Sequence, residues 1–345
     1  MKIFYIITGR YPTERAYGIQ IEKTAEALRN LGAEVVVKAP PAFLQFLLRL
    51  GQVGYHLRTL IFLLFLPRHS GSITYTRDSL AAYLTGGYLE LHDITKGSLS
   101  RKAAFRADGV IVISKGLRDR LIELGVPADK ILVAPDGVDL KDFDIAISKA
   151  QARKQFNLPL DKKIVLYVGL FDEWKGYKTL LEASKQFGSD TELVMAGGRE
   201  EQVANLSKEY QHVKFLGWTD YAKLPALQKV ADVLVLPNSA QYEISRTFTS
   251  PLKLFAYMAS GVPIVASDLP SIREVLDDDS AFFVTPDDPT ALASAAGTAL
   301  ADPDLGQRLA SRALQLVQRY AWQSRARAIL DFLQKYARDD NHPNI

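Results

Sequence analysis

Residues 250–268 read SPLKLFAYMASGVPIVASD and contain a helix followed directly by a buried strand. Ser-Pro is typical of a helix start and Gly261 of a helix end, while VPIVAS is an apolar, β-branched run typical of a buried parallel strand. The free N–H groups at a helix start favour negative charge. This stretch therefore predicts part of a parallel α/β sheet with a helix start suited to an anion.

The same alternation of strands and helices runs through both halves of the chain. Continuous β-branched runs separated by helical segments indicate parallel sheets covered on both faces. We therefore expect an α/β fold of two doubly wound, Rossmann-like domains, over residues 1–150 and 151–320. Ligands bind at the carboxyl ends of such strands, so the cleft between the domains is the expected site. The expected strands are KIFYIIT, EVVVKA, SITYT, GYLEL, GVIVIS and KILVAP, then KKIVLYVG, TELVMAGG, HVKFLG, ADVLVLP, VPIVAS and SAFFVT.

The last segment, about residues 321–345, is predicted to be a helix long enough to cross back onto the first domain.

Composition then narrows the function classes. The 345 residues include no cysteine, which excludes a disulfide framework and a thiolate metal site. Neither G-x-G-x-x-G nor G-x-x-x-x-G-K-[ST] occurs, which disfavours dehydrogenases and P-loop NTPases. The five histidines show no metal-ligand spacing, so we expect no metal site. We also expect no cofactor and no nucleic-acid partner.

The segment from Pro41 to Arg68 is both apolar and basic. It contains FLQFLLRL and LRTLIFLLFLP, and the window that ends at Arg77 holds four arginines and no acid. These runs are too interrupted to span a bilayer, which needs about 20 consecutive apolar residues. Two interpretations stay open. The segment lies in the headgroup plane of an anionic membrane, or it is an ordinary core helix with a few surface arginines.

Two glycine-bearing turns point to a ligand. Gly18 is predicted just before a helix, after the first strand, where a glycine lets the backbone approach an anion at the helix N-terminus. A plain helix-start glycine is the alternative. Gly169 ends a strand of the second half, and Lys175 with Gly176 opens the following helix. Lysine is a compact cation that suits a diphosphate.

The helix start in the quoted stretch is a third candidate. Thr249 or Ser250 is expected to cap this helix, and Pro251 suits its first position. The N–H groups of Leu252 and Lys253 are then free to bind a phosphate. The second domain thus has two predicted phosphate-facing elements.

In this arrangement the chain resembles the retaining, nucleotide-sugar-dependent glycosyltransferases of family 4, which have the two-domain GT-B fold. The resemblance covers essentially the whole chain. SPLKLF with YMASG looks like the branch that builds cell-surface polysaccharides and other glycoconjugates, often on lipid-linked acceptors. The blocks that carry the resemblance are YPTERAYGIQIEKTAEALRNLGAEV, ISKGLRDRL with ILVAPDGVDLKDF, LYVGLFDEWKGYKTLLEA, and ADVLVLPNS with TSPLKLFAYMASGVPIVASDLPSIREVL.

The resemblance implies roles for individual residues. His92, in LELHD, matches the active-site histidine that contacts the transferred sugar, and Lys175 matches the lysine that holds the diphosphate. These two are the catalytic candidates. Gly18 matches the glycine loop near the donor diphosphate and the acceptor. The other donor-binding candidates are Gly169, Gly197, Gly198, Arg199, Thr249, Ser250, Pro251, Leu252, Lys253 and Ala256.

The chain also departs from the family pattern. Leu170 stands where the family often has an arginine, so the diphosphate would lean on Lys175, helix amides and Arg246 or Lys253. Ala256 stands where the family has a glutamate that binds the ribose hydroxyls, and the glutamate's partner eight residues earlier is here Phe248. Two interpretations of Ala256 stay open. It is a deliberate substitution that weakens the enzyme, or a natural variant with other ribose contacts.

The expected function is therefore a retaining hexosyl-type transferase that moves a sugar from a UDP- or GDP-sugar to a glycan acceptor, which we expect to be lipid-linked through polyprenyl diphosphate. The first domain would bind the acceptor and the second the donor. Residues 41–68 would dock the protein on the inner face of the cytoplasmic membrane. Two alternatives remain: a nucleotide-sugar 2-epimerase on the same fold, and a non-catalytic protein that binds sugar nucleotides.

Overall fold

The computed structural model describes residues 1–9, 11–13, 15–66, 71–94 and 98–339. The chain divides into two compact units. Unit 1 comprises Met1–Asp136 and the chain from Trp322 onward, and unit 2 comprises Gly137–Ala321. The division thus lies before residue 150, because Val138, Phe143 and Ala152 are buried in the core of unit 2.

Unit 1 is built on a parallel sheet of six strands in the order β2-β1-β3-β4-β5-β6. The apolar strand β1 lies inside this sheet, where Ile3 pairs with Val35 on one side and Ile73 on the other. Both faces are covered by helices, as the near-continuous apolar strands require. The strands are β1 Lys2–Ile6, β2 Glu34–Lys38, β3 Ser72–Thr76, β4 Tyr88–Leu91, β5 Gly109–Val112 and β6 Ile131–Val133.

The helices of unit 1 include a long C-terminal helix, Trp322–Asp339. This helix packs on α1, and Tyr88 Oη of β4 donates a 3.2 Å hydrogen bond to the carbonyl of Leu333. The C-terminal segment is therefore part of the core of unit 1. The other helices are α1 Ala16–Asn30, α2 Gly51–Leu64, α3 Ser79–Thr85, α4 Ser98–Arg106 and α5 Lys115–Glu123, with 3-10 turns Ala42–Leu50 and Ala128–Lys130.

Unit 2 repeats the architecture, with strand order β12-β11-β10-β7-β8-β9 and parallel pairing throughout. The central strand β7 lies between β10 and β8, so the carboxyl ends of these three strands are neighbours. The strands are β7 Lys163–Val168, β8 Thr191–Ala196, β9 Lys214–Gly217, β10 Val233–Leu236, β11 Ile264–Ser267 and β12 Phe282–Val284.

The helices of unit 2 cover both faces of its sheet, and two separate apolar clusters fill the spaces between. The predicted α/β fold with two doubly wound sheets is thereby confirmed. The helices are α6 Leu140–Phe143, α7 Lys149–Gln155, α8 Tyr177–Ser184, α9 Glu200–Glu209, α10 Leu224–Gln228, α11 Leu252–Ser260, α12 Pro270–Arg273, α13 Pro289–Ala301 and α14 Pro303–Leu316. The shorter turns are Glu173–Lys175, Tyr221–Lys223, Ile244–Phe248 and Val317–Tyr320.

The segment between β2 and β3 forms a 3-10 turn and α2, and it carries much of the exposed apolar surface of unit 1. Arg58 does not lie on that surface: it is buried and donates to the carbonyl of Thr8. Arg77 is also buried, Arg49 is exposed, and Arg68 lies outside the described residues. The basic character predicted for this surface is therefore weaker than the sequence suggests. No helix within the described part of the chain combines the length and hydropathy needed to cross a membrane.

Candidate functional site

Two glycine turns meet at the carboxyl ends of β7 and β8. Gly169 has φ +147°, and Gly197 and Gly198 have φ +114° and +79°, all in the region that favours glycine. A Cβ on Gly197 would collide with the carbonyl of Gly169, and one on Gly198 with the ring of Phe171. These glycines are therefore needed for the close approach of the two turns. Both turns lie at the strand ends where ligands of α/β sheets bind.

The Lys175 turn is held against the end of β10. Gly176, with φ +67°, begins α8, and a Cβ there would collide with the carbonyl of Pro237. Ser239 N also donates a 3.0 Å hydrogen bond to the carbonyl of Trp174. Lys175 Nζ lies 2.9 Å from Asp172 Oδ2 and 5.0 Å from the centroid of the Trp174 ring. The backbone therefore fixes this lysine at the strand ends, next to one carboxylate.

Helix α11 begins one residue later than the sequence predicts. Pro251 is the N-cap residue and Leu252 the first helical residue, and no side chain caps this helix. The prediction that Thr249 or Ser250 caps it was wrong, because the extended Pro251 separates both from the first turn. Thr249, Ser250 and Pro251 are buried, and their backbone leads into the helix start.

Lys253, in the first turn of α11, is a buried cation without a hydrogen-bond acceptor. Its Nζ has no such partner among the described residues and lies 4.2 Å from the centroid of the Tyr167 ring. Burial and the charge of Lys175 hold the pKa of Lys253 well below its ordinary value. A buried lysine is costly unless it is paired. An anion bound at this point would supply the missing partner.

Arg199 and Ala256 lie at the margins of this group. Arg199 is exposed at the start of α9, with Nη2 3.8 Å from Asp172 Oδ1. Ala256 is 9 % exposed and packs in the larger apolar cluster of unit 2. It follows Lys253 by three residues on α11, so the two side chains lie on the same face of the helix. A longer side chain at 256 would therefore reach the neighbourhood of Lys253.

In unit 1, Gly18 lies within the first turn of α1, not before the helix as predicted. The helix begins at Ala16, earlier than the apolar periodicity suggests. A Cβ on Gly18 would collide with the carbonyl of Thr13. The glycine is therefore required by the close approach of the preceding loop. Its position at the carboxyl end of β1 is the one the sequence predicts.

His92 follows β4 and contacts a buried carboxylate. Its Nε2 lies 2.5 Å from Glu90 Oε1, and Glu90 is 2 % exposed. Arg325 Nη2 and Arg77 Nε lie 3.1 and 3.7 Å from the same oxygen, and Tyr75 Oη donates to the other. Burial opposes ionisation of Glu90, but Arg325, His92 and Arg77 outweigh it and hold the pKa of Glu90 well below its usual range. Burial and then Arg77 lower the pKa of His92.

Several polar residues around the lysines of unit 2 and around His92 of unit 1 were not predicted from the sequence. Glu90 could have been predicted from the sequence, because an acid inside the apolar strand YLEL requires a buried partner. Asp172 precedes the predicted lysine by three residues, a spacing typical of a paired acid. Asn238, directly after Pro237, is fully buried, and neither side-chain amide atom has a hydrogen-bond partner among the described residues. Nothing in the local sequence distinguishes Asn238 or Arg325 from other polar residues.

Two family models match the chain. The one described as "Glycosyl transferases group 1" matches residues 148–316, and the one described as "Glycosyltransferase Family 4" matches residues 21–142. The chain has the GT-B fold, and each of its two units is similar to a glycosyltransferase family model. The first match lies in unit 2, with the two lysines and the glycine turns. The second lies mostly in unit 1, with His92, and its last six residues belong to unit 2.

The individual curated relatives share less than a third of their residues with this chain over the matched regions. A D-inositol 3-phosphate glycosyltransferase of Xylanimonas cellulosilytica is 29 % identical over 241 residues, which are 65 % of this chain and 56 % of that protein. A phosphatidyl-myo-inositol mannosyltransferase of Mycobacterium leprae is 32 % identical over 194 residues, 54 % and 50 % of the two chains. The matched region thus spans about half the length of these curated relatives. The crystal structure of Anabaena HepE in complex with UDP superposes with TM-score 0.77 at 19 % identity, over 97 % of this chain and 100 % of that one.

Proposed function

We propose that this protein is a retaining glycosyltransferase that moves a hexosyl group from a UDP- or GDP-sugar to a glycan acceptor. The observation that carries the proposal is Lys253, which is close enough to Lys175 to be influenced by its charge and whose buried Nζ has no hydrogen-bond acceptor among the described residues. Two cations at a helix start and two glycine turns suit a diphosphate. The UDP complex of the structurally similar HepE supports a nucleotide-sugar donor. A mannosyltransferase named for phosphatidyl-myo-inositol among the relatives supports a lipid-linked acceptor.

In this proposal, each candidate residue has a role that follows from its surroundings. Lys175, Lys253 and the amides at the start of α11 bind the donor diphosphate and stabilise the charge that grows on the leaving phosphate. The turns at Gly169 and Gly197 let backbone approach the nucleotide. His92 positions the transferred sugar. Retention follows from front-face attack, in which the leaving diphosphate oxygen helps to deprotonate the acceptor hydroxyl.

Replacing Lys175 with alanine tests the catalytic part of the proposal. Loss of a charged group that stabilises the leaving phosphate lowers kcat by about a hundredfold or more. Lys178→Ala is the matched control, because Lys178 is exposed one helical turn away and pairs with Glu173 on the surface. The measurement is sugar transfer from UDP- and GDP-sugars to a polyprenyl-linked glycan. Equal rates for Lys175→Ala and the control would remove Lys175 from the mechanism.

We also propose that the exposed apolar surface of unit 1 docks on the cytoplasmic face of a membrane, where a lipid-linked acceptor is present. Several large apolar side chains close together in sequence are exposed here, and clustered exposed apolar side chains are typical of interaction sites. Because Arg58 and Arg77 are buried, apolar insertion contributes more than charge attraction. The exposed side chains are Phe43, Phe46, Leu48, Leu50, Val53, Leu57, Leu60, Leu64 and Phe65.

Liposome co-sedimentation tests this docking. We expect binding to vesicles with anionic lipid at low salt, and retention of much of it at high salt because the contact is mainly apolar. Phe43→Asp should weaken binding about tenfold or more, since it places a charge in the interface. Trp218→Asp is the control, because Trp218 is equally an exposed aromatic residue but lies in unit 2. No co-sedimentation at low salt would refute the docking.

A non-catalytic sugar-nucleotide-binding protein is the second candidate. Ala256 and Leu170 favour it, because both replace polar residues expected in a donor site. Product formation with a lipid-linked acceptor distinguishes the two functions, since a binding protein would hold the nucleotide sugar without turnover. Product formation without any acceptor would instead favour the 2-epimerase alternative.

A further inference from the structure

The first observation concerns a buried charge network in unit 1. One oxygen of Glu90 faces His92 Nε2 at 2.5 Å, Arg325 Nη2 at 3.1 Å and Arg77 Nε at 3.7 Å. Arg325 belongs to the C-terminal helix and is 5 % exposed, and its Nη1 donates a 3.0 Å hydrogen bond to Thr24 Oγ1 of α1. A cation from the end of the chain is thus fixed within reach of the histidine's carboxylate partner.

The network also contacts the Gly18 turn. Arg77 Nη1 lies 3.4 Å from the carbonyl of Tyr17, and its guanidinium lies 4.6 Å from the centroid of the Tyr17 ring. Gln20 Nε2 donates to Asp136 Oδ2 at 2.5 Å. The charged and titratable groups packed around the Glu90–His92 pair are Tyr5, Tyr17, Tyr75, Arg77, Asp136 and Arg325. They come from β1, α1, β3 and its exit, the exit of β6, and the C-terminal helix.

We infer that Arg325 is a positioning residue: with Arg77 it keeps Glu90 ionised, and Glu90 in turn holds His92 in the tautomer that carries its hydrogen on Nε2. An ionised carboxylate accepts and does not donate, so the imidazole nitrogen that faces Glu90 must carry the hydrogen. In the neutral ring, Nδ1 then has the free lone pair. His92 therefore accepts a hydrogen bond from a sugar hydroxyl and does not donate one.

The electrostatics agree with this assignment. The low pKa of Glu90 keeps the carboxylate charged, and the lowered pKa of His92, caused by burial and Arg77, keeps the ring neutral at pH 7. Burial raises the pKa of Asp136, against the influence of His92 and the two arginines. Removal of Arg325 would take one positive charge from the pair. The pair would then bind a proton more readily, and the proton would go to the imidazole.

The tautomer is measured on the ligand-free protein with ¹⁵N-labelled histidine. Long-range ¹H–¹⁵N spectra report which ring nitrogen carries hydrogen, and His92→Gln identifies the His92 signals among the five histidines. We expect a protonated Nε2 and a bare Nδ1 at pH 7. In Arg325→Met we expect the pKa of His92 to rise by about one unit or more. Arg325→Lys, which keeps the charge, should show a smaller rise.

Arg327→Met is the matched control, because Arg327 is exposed two residues further along the same helix. If Arg325→Met does not fold, Glu90→Gln replaces it, and loss of the carboxylate should populate the Nδ1-protonated form. A protonated Nδ1 in the wild-type protein, or an unchanged pKa in folded Arg325→Met, would overturn the inference.

The role of His92 toward a sugar rests on the proposed transfer reaction. The experiment must therefore distinguish a failure of that reaction from a failure of the positioning by Arg325. If the spectra show the expected tautomer but His92→Gln transfers sugar at the wild-type rate, the positioning by Arg325 stands and the proposed role of His92 falls. If transfer is lost in His92→Gln and falls in Arg325→Met but not in Arg327→Met, both stand.

Discussion

Ala256→Glu perturbs the proposed donor site at the position where the chain departs from the glycosyltransferase pattern that it resembles. A glutamate at 256 would lie three residues after Lys253, at a spacing that brings side chains together on a helix face. Lys253 Nζ has no hydrogen-bond acceptor in the described chain, so the new carboxylate would meet an unpaired cation. The same carboxylate would also be available to two ribose hydroxyls of a bound nucleotide.

The effect on stability follows from the pKa of Lys253. In the folded protein, burial and Lys175 lower this pKa, so Lys253 disfavours folding at every pH below its ordinary value of about 10.4. A partner at 256 raises the pKa and relieves this penalty. A hydrogen bond between charged groups contributes about 2 kcal/mol, which raises Tm by about 4–8 °C in a unit of this size. Donor binding should gain about 2–3 kcal/mol, or roughly a hundredfold in Kd.

Calorimetric titration of UDP- and GDP-sugars into both proteins measures the second effect, and thermal unfolding at pH 7 measures the first. Ala256→Gln is the control, because it has nearly the same volume without the charge. If the glutamate variant binds one donor far more tightly than the glutamine variant, that donor is named and position 256 is its ribose contact. Equal affinities and equal Tm values for the two variants would refute the reasoning.

Three further predictions concern unit 2. Binding of a diphosphate donor should be accompanied by uptake of a proton when the pH exceeds the lowered pKa of Lys253. Calorimetry should then show a heat of binding that depends on the buffer, and Lys253→Met should abolish this dependence. A heat of binding that is independent of the buffer across about pH 7–10 contradicts the prediction. Gly197→Ala should cost about 2 kcal/mol in urea unfolding, because its φ is positive and its Cβ meets the Gly169 carbonyl; an unchanged midpoint contradicts it. Arg153→Met should cost about 2 kcal/mol, since it removes a buried ion pair with Asp232, which keeps Lys149 and the Ile164 N–H as partners. The loss should shrink below about pH 4, because the lowered pKa of Asp232 stabilises the fold only above that range; a loss that is constant down to pH 2 contradicts this.

The architecture could be predicted because apolar strand runs and their spacing are local signals. The β-branched runs at KIVLYV and TELVMA, for example, became the adjacent parallel strands β7 and β8. The start of α1 was harder, because Ala16 and Tyr17 extend the helix without an apolar pattern or a capping side chain. The unit boundary also depends on packing, since Val138 is buried by residues that are distant in sequence.

The site was predictable only in part, for the same reason. Lys175 and Lys253 stand beside glycine and proline signals that mark turns and helix starts, so their positions could be inferred. The difference between the surroundings of the two lysines could not be inferred from the sequence. Lys175 has Asp172 as a partner 2.9 Å away, whereas Lys253 is buried over Tyr167 with none in the described residues. That contrast depends on the three-dimensional fold of β7, where Tyr167 and Gly169 lie side by side.

This contrast determines how an anion would be held. Lys175 is partly buried and pairs with Asp172 at 2.9 Å, so a diphosphate must compete with that carboxylate for it. Lys253 Nζ has no hydrogen-bond acceptor among the described residues. Burial and Lys175 lower its pKa more than Asp172 raises it, so a bound anion would raise that pKa. The two lysines therefore contribute differently: Lys175 exchanges one anionic partner for another, whereas Lys253 gains a hydrogen-bond acceptor that it lacks among the described residues. Because Nζ of Lys253 is buried, its attraction to an anion is less screened by solvent than that of an exposed lysine.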